Sequence, residues 1–311
     1  MNVQQIEYVL AVAEIQHFER AAEKCFVTQS TLSTMISRFE DELGIQIFDR
    51  KRKPVGLTTE GEVLLEQLKK IKQELEQLKE LSQEIKGEIK GDLSISVIPT
   101  IAPFLLPLFL QGFAQKFPNL NIVVKEQTTA EIMRQIKSRD LDIGIISIPV
   151  KDPDILEYKL YDEPFLFYDA GHELKKQIKP STIDANNLCL LEEGHCMRTQ
   201  VINLCDLHKN NLKSLLNFDY KAGSIDSLLR FVKVNGATTL LPYLATTDFG
   251  AEEQKHLSEF NDPTPFRSVG LVVHRHFVKK QILEKLQAEI IEKVRPLLAE
   301  LELKGEELMP V

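Results

Sequence analysis

Cysteine is scarce in this chain, at four among 311 residues, and nothing at the amino terminus resembles an export signal, since the sequence opens directly on an amphipathic pattern. Such sparse thiols in a chain read as cytoplasmic exclude a structural disulfide framework; they are expected to be reduced at rest, and any disulfide to be transient. No apolar run reaches the roughly 18 residues of a membrane span, so no membrane partner is expected. A global basic excess is missing as well. Lys and Arg number 38 against 46 Asp and Glu, for a net charge of −8, so binding to nucleic acid would have to rest on cations concentrated locally. Neither a metal-ligand cluster nor a cofactor motif stands out, and no metal or cofactor is expected. What remains is ample apolar material: 43 % hydrophobic residues in a chain of this length supply two or three domains with cores that need no staples.

The one dense cationic run is Arg50, Lys51, Arg52 and Lys53, followed by Pro54-Val55-Gly56 and the strand-like Leu57-Thr58-Thr59. This reads as a basic hairpin or wing closing a small helical domain over residues 1–60. Ahead of it, Phe18 to Cys25 forms a short helix with small residues, broken near Phe26-Val27 before a second helix opens around Thr28 to Ser30. Leu32, Met35, Ile36, Phe39 and Leu43 of that second helix fall at helical spacing and make one apolar stripe. Its other face presents Gln29, Ser30, Thr31, Ser33, Thr34, Ser37 and Arg38, short or amide-bearing side chains suited to base edges and phosphates. A face selected for solubility alone would carry more Glu and Lys. Double-stranded DNA is therefore the expected partner. From Gly61 to about Ile89, Leu64, Leu68, Ile71, Leu75, Leu78, Ser82, Ile85 and Ile89 alternate spacings of four and three, a heptad seam that a second copy of the chain would cover. Dimeric helix-turn-helix proteins place two reading helices about one DNA turn apart.

Beyond Gly91 the pattern alternates: strand Leu93–Ile98, helix Ala102–Phe117, strand Leu120–Lys125, helix Ala130–Ser138, strand Leu141–Ile148. This βαβαβ run predicts a parallel sheet with helices on its faces, and ligands in such folds sit at the carboxyl ends of strands. Thr100 and Thr129 follow the first two strands, where threonine most often caps a helix. A second α/β unit covers residues 163–266, and the chain returns through strand Ser268–Val273 to a terminal helix near Lys280 to Leu301.

Chemistry is expected at Cys196 and Cys205. His195 and Arg198 flank the first, and positive charge beside a thiol stabilises the reactive thiolate. A helix would separate two positions nine residues apart by roughly 13.5 Å, while a disulfide needs Cα atoms within about 6.8 Å. The segment must therefore be bent back already or be remodelled on oxidation. Closing that ten-residue loop is worth roughly 2.7 kcal/mol of chain entropy. Cys25 and Cys189 lie in apolar surroundings and read as small hydrophobes.

Phe18 with Ala21 and Ala22, Gln29 with Ser33 and Ile36, Glu40 with Leu43-Gly44, Phe48 with Arg50, and Leu57-Thr58 with Gly61 resemble the LysR-type transcriptional regulators. Ser30 and Phe39 stand where that family often has proline and leucine. Ile98-Pro99-Thr100, Leu106-Pro107, Asp162-Glu163-Pro164, Leu191 to Cys196, Thr239 to Pro242 and Arg267 to Val272 resemble its peroxide-sensing branch. The resemblance implies a winged helix-turn-helix domain at 1–60, a linker and dimerisation helix at 61–90, and a regulatory domain at 91–311. That domain would hold two Rossmann-like α/β subdomains, periplasmic-binding-protein-like, with subdomain I at 91–162 and 267–311 and subdomain II at 163–266. It implies Cys196 as the peroxidatic and Cys205 as the resolving cysteine, with Thr100, Thr129, His195 and Arg267 around hydrogen peroxide. Further implied are a homodimer or homotetramer, RNA polymerase and a thiol reductant as partners, and a regulator in place of an enzyme. Where the branch tends to read Thr-Ser-Leu-Glu-Thr-Leu, this chain has Gly223-Ser224-Ile225-Asp226-Ser227-Leu228, and Asp219 stands where some members have histidine. The competing readings are a metabolite-sensing regulator of the same type and a thiol peroxidase, which would have no use for the reading and heptad helices.

Overall fold

The computed structural model of the chain describes residues 1–173, 177–184, 186–192, 194, 196–205, 222–299 and 305–310. They fall into two compact units, Met1–Lys86 and Gly87–Val311.

The first unit is built from α1 (Val3–Ile15), α2 (Phe18–Lys24) and α3 (Gln29–Leu43). Asn2 and Gln5 form a reciprocal capping box that starts α1, and the Thr28 hydroxyl accepts from the Thr31 amide to start α3. Leu32, Ile36 and Phe39 are fully buried, so the apolar stripe of α3 faces the core and its polar side is left outward. The wing is an antiparallel pair, β1 (Phe48–Asp49) and β2 (Gly56–Leu57), with Phe48 opposite Leu57; the basic tetrad forms the connection. The strand expected to run on to Thr59 stops at Leu57, because the Thr58 hydroxyl accepts from Gly61 N at 2.9 Å and starts α4 (Thr59–Ile85). Leu68, with Leu64 and Ile71, packs into this unit's core, whereas Leu78 and Ile85 are 64 % and 77 % exposed. The seam is thus used internally over its first half and open over its second. The helix ends before Ile89, which packs against the second unit's core.

In the second unit β3 (Gly91–Val97), α5 (Ala102–Lys116), β4 (Leu120–Glu126), α6 (Thr129–Lys137) and β5 (Ile143–Ile148) form the expected βαβαβ run, with β3 parallel to both β4 and β5. Every residue of β5 is buried, as an apolar strand covered on both faces should be. Then come β6 (Ile155–Asp169), β7 (Gln177–Ile178), α7 (Cys196–Leu204), α8 (Ile225–Asn235), β8 (Thr238–Pro242), α9 (Ala251–Gln254), β9 (Leu257–Phe260), β10 (Thr264–His274), α10 (Lys280–Leu298) and β11 (Gly305–Glu307). The end predicted for α10, Leu301, lies outside the described residues. The sheet is mixed, in the order β4-β3-β5-β10-β6-β9-β7, because β10 runs antiparallel to both β5 and β6. The long β6 and β10 pass between two hydrophobic cores. One gathers β3, β5, α5, α6 and α10; the other gathers the second half of β6 with α7, α8 and β8. No described helix is long and apolar enough to cross a membrane.

Candidate functional site

Cys196 is the first residue of α7 and is 7 % exposed. It packs into the first core, while Met197 and Val201 of the same helix pack into the second, so α7 is seated where the two cores meet. His195 lies outside the described residues. The Arg198 guanidinium turns to the Leu191 carbonyl at 2.8 Å. Among the described residues, the cation that acts on the sulfur is Arg267 of β10.

Arg267 is 1 % exposed and paired with an equally buried Glu163, directly opposite on β6 in the strand register. Its Nε and Nη2 donate to Glu163 Oε2 at 2.9 and 2.7 Å, its Nη1 donates to Thr100 Oγ1 at 2.9 Å, and Nη2 donates to the Thr100 carbonyl at 3.0 Å. The other Glu163 oxygen accepts from Leu244 N at 2.9 Å. An ion pair so buried is tolerated because every guanidinium nitrogen and both carboxylate oxygens make hydrogen bonds. Burial works against the charge of Arg267, and the negative charge of Glu163 more than offsets it, so the arginine pKa is raised.

Thr100 and Thr129, placed by sequence where caps occur, cap nothing. The residue before α5 makes no side-chain cap, and Thr128 caps α6 in place of Thr129. That leaves both hydroxyls to the site. Thr100 accepts from Arg267 as above. The Thr129 hydroxyl is buried with no hydrogen-bond partner, yet it lies close enough to the Cys196 sulfur to favour its ionised form.

Burial pushes the Cys196 thiol up; Arg267 opposes it most, followed by the Thr129 hydroxyl and the backbone N–H groups that open α7. This corrects the expectation for Arg198, whose guanidinium turns to the Leu191 carbonyl; the expectation for His195 lies outside the described residues. Desolvation outweighs charge here because the sulfur is buried and Glu163 already engages the guanidinium. Burial likewise raises Cys189 and pushes Cys205 up to about 11. Cys205 closes α7, its N–H donating to Val201 O at 3.1 Å, so the intact helix keeps the two cysteines apart by roughly 13.5 Å of rise. Cys25 belongs to the core of the other unit, and burial raises its thiol also.

Two residues of the site escaped sequence reasoning. Glu163 was legible as a carboxylate inside an apolar strand, Tyr161 to Tyr168, where an unpaired charge is too costly to keep. Tyr161 offers less signal: its hydroxyl is buried without a partner, and burial, then the charge of Glu163, raise its pKa well above the ordinary value. Ser224 and Ser227 of the divergent stretch form the capping box of α8, and Asp219 lies outside the described residues. Among the described residues no group of three His, Cys, Asp or Glu could hold a metal ion.

In the first unit the expected DNA-reading set divides. Gln29, Ser30, Thr31, Thr34 and Arg38 are exposed. Ser33 and Ser37 are half-buried and accept from Arg50 Nη1 at 3.2 Å and Nη2 at 2.9 Å. Arg50 Nη2 also donates to Glu40 Oε2 at 2.9 Å, and the guanidinium lies 5.2 Å from the centre of the Phe18 ring. Glu40 Oε1 in turn accepts from the amides of Ile47 and Phe48. Arg50 thereby fastens the wing to α3, while Lys51, Arg52 and Lys53 remain exposed.

Two family profiles match the chain: "Bacterial regulatory helix-turn-helix protein, lysR family" over residues 3–62 and "LysR substrate binding domain" over residues 86–294. The DNA-binding transcriptional dual regulator OxyR of Escherichia coli (strain K12) is 32 % identical over 282 residues, covering 88 % of this chain and 89 % of that protein. Among solved structures, a full-length cysteine-to-aspartate OxyR variant from Pseudomonas aeruginosa is similar at TM-score 0.70 and 29 % identity, covering 94 % of this chain and 98 % of that one. A hydrogen-peroxide-bound cysteine-to-serine OxyR variant from Corynebacterium glutamicum is similar at TM-score 0.63 and 25 % identity, covering 96 % and 94 %.

Proposed function

The chain belongs to the LysR family of bacterial helix-turn-helix regulators, among its OxyR-like members, and we propose that it senses hydrogen peroxide through Cys196 and Cys205 and passes the signal to DNA. The observation that carries this reading is the buried thiol of Cys196 between the charged Arg267, itself held by Glu163 and Thr100, and the unpartnered hydroxyl of Thr129. A desolvated thiolate, a fixed cation and a free donor are what a nucleophile needs to attack a small neutral oxidant and to receive the charge of the departing oxygen.

In the first step the Cys196 thiolate attacks one peroxide oxygen, the O–O bond breaks, and hydroxide leaves and is protonated to water. Cys196 becomes a sulfenic acid. In the second, the Cys205 thiolate attacks that sulfur, forming the disulfide and releasing a second hydroxide, again protonated to water. Two thiols and one peroxide thus give one disulfide and two waters, and a cellular dithiol returns the pair by exchange. Because α7 holds the cysteines apart, the second step requires the helix to unwind. The domains act together in this reading: residues 1–60 on DNA, 61–90 in dimerisation, 91–311 in sensing, with His195 beside the thiol. Gln29, Ser30, Thr31, Thr34 and Arg38, with Lys51, Arg52 and Lys53 of the wing, would meet the duplex, Ser33, Ser37 and Arg50 supporting them. A homodimer or homotetramer in the cytoplasm, working with RNA polymerase on oxidative-stress genes, completes the proposal.

The decisive experiment compares the wild-type chain with Cys196→Ser on non-reducing gels after peroxide treatment. The wild type is expected to shift and the variant to stay put; an undiminished shift in the variant defeats the assignment.

A further inference from the structure

One helical turn after Cys196, α7 carries a second buried polar side chain. Gln200 is fully buried, its Nε2 donates to the Leu308 carbonyl at 2.7 Å and to Ser147 Oγ at 3.4 Å, and its Oε1 is buried without a partner. Leu308 follows β11, which pairs in parallel with β10 from Thr264 opposite Gly305 to Phe266 opposite Glu307. Its own N–H donates to Phe266 O at 2.8 Å. The approach is close enough that a Cβ on Gly305 would meet the Thr264 carbonyl oxygen at 2.2 Å. Leu308 and Pro310 are buried, and Leu308 shares the second core with Met197 and Val201. The 305–310 segment therefore ties the helix that bears Cys196 to the strand that bears Arg267.

Gln200 stands inside the loop that a Cys196–Cys205 bond would close. If the sulfurs meet, α7 must unwind between them, and Gln200 cannot keep its place on Leu308. We propose that the 305–310 segment is a latch on α7: clasped by Gln200, it slows closure of the disulfide, and closure releases it. This rests on the peroxide-sensing reading of the two cysteines and adds a regulator to it. Attack of Cys196 on peroxide needs no unwinding, so the latch acts on the second step alone. Gln200 is accordingly a positioning residue, and the ratio of the two rates reports on it where overall folding would not.

The test uses the full chain as wild type, as Gln200→Met, which keeps length and apolar bulk while removing the donor, and separately as Leu308→Gly. Each is mixed with hydrogen peroxide; the Cys196 sulfenic acid is trapped with a 1,3-dione and read by mass spectrometry, and the disulfide is read by loss of titratable thiols. Trapping rates are expected to agree within about twofold, while closure becomes about fivefold faster in Gln200→Met, the consequence of losing one net hydrogen bond, and at least about fivefold faster in Leu308→Gly, which keeps the backbone carbonyl but loses the side chain that seats it in the second core. Unchanged closure in both variants, with normal trapping, overturns the latch. No trapped sulfenate in the wild type overturns the sensing reading and the latch with it, and is told apart because it appears before Gln200 is changed. Hydrogen exchange at the Leu308 amide of the wild type is the second measurement, independent of how the variants fold. Protection there should fall at least about tenfold on oxidation, as local opening predicts, and unchanged protection overturns the proposal.

Discussion

Glu163→Gln sets two consequences of one buried carboxylate against each other. In the native chain one oxygen of Glu163 accepts two bonds from Arg267 and the other accepts from Leu244 N. An amide offers one acceptor and one donor in their place, so its NH2 must face either the guanidinium or the Leu244 amide, both of them donors. Breaking a buried pair by removing one charge costs about 3–5 kcal/mol. For a domain of this size about 2–4 °C of melting temperature goes with each kcal/mol, so Tm should drop by roughly 6–20 °C. Chemistry should move the other way. Arg267 loses the anion that engages its charge while Cys196 stays beside it, so the thiolate is favoured, the thiol pKa falls, and alkylation of Cys196 at neutral pH accelerates. Calorimetry of the reduced protein and pH-dependent alkylation in a background with Cys25, Cys189 and Cys205 replaced by serine measure the two effects. A melting temperature within about 2 °C of the parent refutes the stability argument built on the buried pair. An alkylation midpoint that stays or rises refutes the electrostatic one.

Because burial raises the Cys196 thiol in the folded protein, its peroxide reaction should accelerate with pH through the neutral range and level off only above the ordinary thiol pKa of about 8.5; stopped-flow rates that plateau before pH 7 would show that Arg267 prevails over desolvation. Thr129→Val removes a hydroxyl that favours the thiolate and should slow oxidation by about tenfold or more, the worth of one hydrogen bond to a charged group, with the fold intact by circular dichroism; an unchanged rate sinks the role. Arg50→Ala frees Ser33 and Ser37, leaves Glu40 without its cation, and should weaken DNA binding while lowering the stability of the first unit by about 1 kcal/mol. Lys51→Ala, exposed on the wing, should weaken binding modestly and reduce its salt dependence by about one ion while leaving the stability of the first unit unchanged, and an equal loss of stability in the two variants would contradict this division of labour.

Patterns that depend on near neighbours were legible in the sequence. The stripe Leu32, Ile36, Phe39 gave α3 its buried face, and the alternation beyond Gly91 gave the parallel strands, since each reflects a local period matched to burial. Capping was harder. Thr128 and Thr129 are adjacent, either could have opened α6, and only the path of the chain out of β4 decides that Thr128 does so, leaving Thr129 to the sulfur. The heptad seam was legible as a spacing, but not that Leu64, Leu68 and Ile71 spend it on their own unit. The electrostatics of Cys196 were the least readable. Arg198 is near in sequence but turns to a backbone carbonyl, whereas among the described residues the charge on the sulfur arrives from Arg267 on β10, named beforehand by family resemblance alone, and its partner Glu163 from β6. Those pairings exist only once the two long strands lie in register, and no local pattern encodes that.

The seating of α7 between two cores also bears on the direction of the proposed switch. Unwinding it exposes Met197 and Val201, each 2 % exposed while α7 is helical, at up to about 1.5–3 kcal/mol apiece. Closing the ten-residue loop in the unwound segment costs a further roughly 2.7 kcal/mol of chain entropy. Both terms oppose oxidation, so the oxidised conformation is the costlier one by up to roughly 6–9 kcal/mol. Its formation must be driven by the chemical free energy of peroxide reduction, and the protein supplies only the helix that resists it. A dithiol that cuts the bond meets a chain already inclined to rewind. On this argument the resting state is set by packing, the signalling state by chemistry, and the buried face of α7 decides how much oxidant the switch ignores.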